Sequence, residues 1–117
     1  MTVAERNRAI KKVLARRFGR KNVRVKGDRG TAYGWVNIYV QVPKPHKGEC
    51  ERPEGWPGSF YECDACKRVR EETEKEIWRL LKEAGLYDEL GTYYDDMGDK
   101  HKEVIIHIFL VEEDEDG

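Results

Sequence analysis

The segment from Pro43 to Lys67, PKPHKGECERPEGWPGSFYECDACK, holds every cysteine and every proline of the chain and one of its three histidines. Prolines at 43, 45, 53 and 57 exclude a continuous helix or a central strand across its first half. The chain must therefore build its regular structure on either side and carry this stretch as an insert. Within it, His46, Cys50, Cys63 and Cys66 read H-x3-C-x12-C-x2-C. Two close pairs separated by a loop match the spacing of a structural tetrahedral metal site, and the ligand types suit zinc. The second pair falls where a helix is expected to begin, so backbone N–H groups there favour the thiolate form. Zn2+ is the expected cofactor. His101 and His107 are alternative fourth ligands, more distant in sequence, and three free thiols without a metal form the plain alternative.

Catalysis at this centre is not favoured. A zinc deaminase uses H-x-E with P-C-x-x-C and an open coordination position. Here His46-Lys47-Gly48-Glu49 misplaces the acid by one residue, and Glu62 rather than proline precedes Cys63. A thioredoxin-type pair should follow a strand, whereas a proline- and glycine-rich loop precedes this one. Three cysteines do not make a secreted disulfide framework. The start, MTVAERNRAIKK, contains no apolar run, so the expectation is a soluble, cytoplasmic protein with no membrane contact.

The chain has 117 residues, 38% of them charged, and a mean hydropathy of -0.85. One domain with a lean core follows, the situation in which a structural metal adds most. Four parts are expected: an αββ unit over 1–42, the insert over 43–66, a helix with strands over 64–111, and an acidic tail over 112–117.

A first helix is predicted over Val3–Phe18, capped by Thr2 and stopped at Gly19, with Ile10, Leu14 and Phe18 on one face. Arg6, Arg8, Lys11, Lys12, Arg16 and Arg17 are left for the surface. Asn22–Lys26 alternates as a short strand, and Gly27–Gly30 reads as a hairpin loop into a second strand, Tyr33–Val42. In that strand Val36, Ile38, Val40 and Val42 point one way; Trp35, Asn37, Tyr39 and Gln41 point the other. A second helix over Asp64–Ala84 buries Val69, Thr73, Ile77, Leu80 and Leu81. A third strand is placed at Thr92–Asp95. A fourth, Glu103–Val111, is apolar on both rows and so is expected to be central.

The predicted fold class is α+β, a two-layer αββαββ arrangement. Its four-stranded, mainly antiparallel sheet carries both helices on one face. The opposite face would then display Arg24, Lys26, Trp35, Tyr39, His107 and Phe109.

The Ile-Lys-Lys helix of Ile10–Lys12, the aromatic Phe18 at its end, the Val-x-Val strand at Val23–Val25 and the Trp35-Val36-Asn37-Ile38 strand resemble large polyvalent-protein-associated domains. These occur in proteins of phages and mobile elements, and the resemblance covers about Ala9 to Val42. It implies a phage or mobile-element origin and transfers no active residues.

Charge is divided unevenly. Residues 1–30 carry eleven Lys or Arg against two Asp or Glu; the remainder carries eleven against twenty-one. A basic segment suits an acidic protein or nucleic acid. The reading is a small non-enzymatic interaction protein with a structural zinc site, acting on a host protein. The alternative is a nucleic-acid-binding module using Arg16, Arg17, Arg24 and Lys26 with Trp35 and Tyr39 as a stacking surface.

Overall fold

A computed structural model of the chain describes residues 1–27, 34–58 and 60–112. The Asp28–Gly30 part of the expected hairpin loop, Tyr33 of the expected second strand, and the tail beyond Glu112 lie outside them. The described elements are α1 (Val3–Phe18), β1 (Val23–Gly27), β2 (Val36–Pro43), α2 (Asp64–Glu83), β3 (Thr92–Tyr94), β4 (Lys100–Lys102) and β5 (Val104–Val111).

Local chemistry sets both ends of α1. The Thr2 hydroxyl accepts a 3.1 Å hydrogen bond from the Glu5 N–H, satisfying one of the helix's orphan donors. At the other end Gly19 adopts a positive φ of 93°, which a side chain would resist, and its N–H donates to the Ala15 carbonyl. Asn22 then donates its side-chain amide to the Phe18 carbonyl at 2.8 Å.

The main sheet has the order β1-β2-β5. β2 runs antiparallel to β1, with Arg24 opposite Tyr39 and Val25 opposite Ile38. It runs parallel to β5, with Ile38 opposite Ile106 and Tyr39 opposite His107. Parallel neighbours need a long crossover. The insert, α2 and the β3–β4 ribbon together supply it.

The expected four-stranded, mainly antiparallel sheet does not form. β3 and β4 pair with each other in a separate two-stranded ribbon, Tyr93 opposite His101. Thr92-Tyr93-Tyr94 and Lys100-His101-Lys102 offer no aliphatic row to extend the core, so they close on themselves at the surface. β5 instead takes the free side of β2, where Val104, Ile106, Ile108 and Leu110 continue the apolar floor made by Val36–Val42. This also corrects the central placement of the last strand. β5 is an edge strand, and its second row is exposed on the helix-free face: Ile105 is 43% and Phe109 47% accessible.

Both helices do cover one sheet face. Ile10 and Leu14 of α1, Ile77 and Leu81 of α2, and Val36, Ile38 and Val40 of β2 are fully buried in one cluster. Phe18, Val69 and Leu80 pack around it, half-buried, while Val23, Leu86 and Leu90 complete the seal. Arg6, expected on the surface, is only 5% accessible. Its guanidinium donates to the Gly34 carbonyl at 3.0 Å and to the Asn7 side chain, tying α1 to the approach to β2. No helix among the described residues is long and apolar enough to cross a membrane.

Truncating the buried row should cost what a core cavity costs. Ile38→Ala is expected to lose about 2–5 kcal/mol in denaturant unfolding. Phe109→Ala, on the helix-free face, should lose far less; equal losses would contradict the layer assignment.

Candidate metal centre

The centre is assembled from the two ends of the insert. Cys63 occupies the N-cap of α2 in an extended conformation, and its carbonyl accepts from the Lys67 N–H. Cys66 lies three residues on, buried in the first turn, so the helix itself aims both sulfurs to one side. His46 and Cys50 come from the loop after β2. Gly48, between them, has a φ of 77°, the left-handed conformation that turns the chain back. The same loop is tied to the end of the sheet. The Lys44 N–H donates to the Val111 carbonyl at 2.9 Å, and the Gly48 N–H donates to the Glu112 carboxylate.

His46, Cys50, Cys63 and Cys66 meet, with one ligand atom from each and all four atoms within 4.8 Å of one another. His46 Nε2 lies 3.3 Å from Cys63 Sγ, 3.3 Å from Cys66 Sγ and 3.7 Å from Cys50 Sγ. Cys50 and Cys66 Sγ are 3.6 Å apart. A tetrahedral ion with metal–sulfur bonds of about 2.3 Å and metal–nitrogen bonds of about 2.0–2.1 Å requires edges of about 3.5–3.8 Å. These four separations, 3.3–3.7 Å, lie close to those edges. All three cysteines are free thiols. The arrangement is thus compatible with a four-ligand structural zinc site, and it is His46 rather than His101 or His107 that lies beside the three cysteines. His101 instead sits 2.8 Å from the Asp95 carboxylate, and His107 lies on the sheet.

Second contacts prepare the ligands. His46 Nδ1 lies 3.1 Å from the Lys47 carbonyl. Donation there fixes the tautomer that leaves Nε2 free for a metal. That bond, with lesser help from Cys63 and Cys50, raises the His46 pKa above its ordinary value. The Cys66 backbone N–H, directed at the Cys63 thiol without closing a capping bond, lowers that thiol to about 6. Burial pushes the Cys66 thiol up to about 12.

The rest of the insert folds on itself. Trp56 donates its indole N–H to the Phe60 carbonyl at 2.8 Å and packs edge-on against Tyr61, the ring centroids 4.8 Å apart. Glu62 pairs with Arg70 of α2. Between the insert and β5 lies a cleft of about 560 Å³ with Cys50, Phe60 and Tyr61 on one side and Ile108 and Leu110 on the other. Nothing in the local sequence pattern announces it, because its walls are some fifty residues apart along the chain.

The other expected contact residues are dispersed. Arg24 and Lys26 share the helix-free face with Tyr39, whose ring stacks on His107 at 4.5 Å and lies parallel to Phe109 at 6.4 Å. His107 is also 3.4 Å from the Asn37 side-chain oxygen. Trp35 precedes β2 and packs 5.1 Å from Tyr93 of the ribbon. Arg16 and Arg17 belong to the helix layer, where Arg17 pairs with Glu76 of α2 at 2.5 Å. Comparison with protein-family models, curated proteins and solved structures finds no match.

Purified without chelator, the protein should carry about one zinc per chain by elemental analysis. Cys63→Ser should lose it and raise amide exchange across residues 43–61 more than in the sheet, whose core is separate. Metal uptake must displace the Cys66 proton, so binding should release protons and tighten as pH rises. In the metal-free site His46 takes up its proton above its ordinary value and Cys63 at about 6, so the affinity should weaken further as pH falls through both. Chelator competition across this range checks the sign; a pH-independent affinity would contradict it.

Proposed function

We propose that the chain is a small non-enzymatic interaction protein in which zinc holds the insert as part of a protein-binding surface. The observation that carries this reading is the half-apolar helix-free face, with Ile105, Phe109 and Val111 exposed beside Tyr39 and His107. An exposed apolar patch with a polar border suits a protein partner. Four protein ligands complete a tetrahedral shell, which suits a structural role for the metal. The resemblance of Ala9–Val42 to domains of phages and mobile elements supports a host protein as that partner.

Nucleic acid is the second reading, favoured by Arg24 and Lys26 beside the stacked Tyr39–His107 pair. Against it, one face of the Tyr39 ring is already occupied by His107, and the neighbouring exposed side chains include the aliphatic Ile105 and Val111.

Affinity capture from the native cell, with and without nuclease, separates the two. The protein-binding reading expects a nuclease-resistant partner whose affinity drops about tenfold or more in Phe109→Ala, as for a central aromatic contact. Capture that disappears with nuclease, together with salt-sensitive binding of labelled single-stranded RNA or DNA, would replace it with the second reading.

A further inference from the structure

We propose that the outer edge of β5, beside the metal-held insert, receives an extended peptide from the protein partner as an added strand. The proposal rests on the interaction reading above and specifies the form of the partner.

The backbone register identifies the available groups. The Val36 N–H donates to the Glu103 carbonyl, and the Lys44 N–H donates to the Val111 carbonyl. With the parallel register of β2 and β5, these bonds turn the odd-numbered residues of β5 toward β2. The N–H and C=O groups of Val104, Ile106, Ile108 and Leu110 therefore face outward. Among the described residues, no strand pairs with that side.

Such an edge is a template for another strand, and proteins ordinarily blunt it with charge, proline or a covering element. The β5 sequence, VIIHIFLV, contains no proline, lysine, arginine or carboxylate. Its protection must come from something lying against it.

The cleft gives that occupant its shape. The edge from Ile108 to Val111 forms one wall, and Phe60, Tyr61 and Cys50 form the other. Its volume of about 560 Å³ accommodates a few residues of a single extended chain rather than a second complete sheet. Phe60, 76% accessible, stands ready to cover an apolar side chain of the incoming strand.

Charge gives the peptide a polarity. Glu62 and Arg70 in the cleft wall satisfy each other. Lys44, at the Val111 end, is held through its ammonium by the Gly48 carbonyl, with no carboxylate partner among the described residues. The strand that fits pairs its backbone with Ile106, Ile108 and Leu110, points an apolar side chain at Phe60, and brings a carboxylate to Lys44. The metal fixes the insert wall, so occupancy should require the metal-loaded form.

The test uses the full, zinc-loaded chain and a display library of short random peptides. Enriched peptides should alternate apolar residues and carry a carboxylate near one end. With one such synthetic peptide bound, amide exchange at Ile106, Ile108 and Leu110 should slow roughly tenfold or more, as for a gained hydrogen bond. The already paired amides of His107 and Phe109 should change little. Lys44→Gln should weaken binding, and Ile108→Pro should abolish it while sparing the donors that face β2. The exchange pattern of the unsubstituted protein decides the matter if Ile108→Pro fails to fold.

The proposal is overturned if no peptide enriches, or if bound peptides leave those three amides unprotected. It also falls if the amides are already protected in a concentration-dependent dimer, which would make a second copy the occupant. A captured partner that depends on Phe109 but is indifferent to Lys44 and to protection of the β5 edge would retain the interaction reading and eliminate strand addition.

Discussion

Burial of one row of β2 organises this molecule. Val36, Ile38 and Val40 are fully inaccessible, and Val42 nearly so. Burying an aliphatic side chain of this size contributes about 1.5–3 kcal/mol. The row shares one buried cluster with α1, which lies over β1 and β2, and with α2, which lies beside β5 and packs on α1. It also fixes the register of its neighbours, because a one-residue slip of β1 or β5 would turn their apolar residues to the wrong face. The other wholly buried side chains, Ile10, Leu14, Ile77 and Leu81, belong to the helices in the same cluster, so a lean chain concentrates its stability here.

The insert leaves β2 at Pro43 and returns as α2, and it cannot hold itself by the same means. Its larger apolar residues, Trp56 and Phe60, remain exposed. What fixes it is the meeting of His46 and Cys50 with Cys63 and Cys66, together with the backbone bond from Lys44 to Val111. The division of labour is physical. Apolar burial holds the helices to the sheet, while directional ligand chemistry holds a polar loop against the end of β5. Loss of a metal bound by these four residues should therefore act locally, on the loop and on the cleft it walls.

The sequence disclosed most where a pattern was local. Thr2 and Gly19 marked α1, period-two alternation marked β2, and H-x3-C-x12-C-x2-C marked the ligand set. It failed where pairing was non-local. Apolar residues on both rows of Val104–Val111 suggested a central strand, yet one row lies under the helices and the other is left exposed on an edge strand. Strand order depends on which edge of β2 is free after β1 has docked, and no short window contains that information. Arg6 failed for a related reason. Its position on α1 resembles that of its basic neighbours, but its carbonyl partner Gly34 is brought near only by the approach to β2.

The charge asymmetry acquires a different meaning in three dimensions. The basic first quarter does not gather into one surface. Arg24 and Lys26 project from the helix-free face, whereas Arg8, Lys12 and Arg16 lie along α1 on the opposite layer. Lys11 spends its ammonium on the Arg20 and Val23 carbonyls, and Arg17 is paired with Glu76. Interactions between exposed charges are largely screened beyond about 10 Å at 0.1 M salt, so basic groups on opposite layers do not act as one continuous phosphate track. What remains concentrated on one side is apolar and aromatic surface on β5 and the strand edge beside it. Charge can orient an approaching partner, but the groups positioned to retain one are the exposed side chains and backbone of β5.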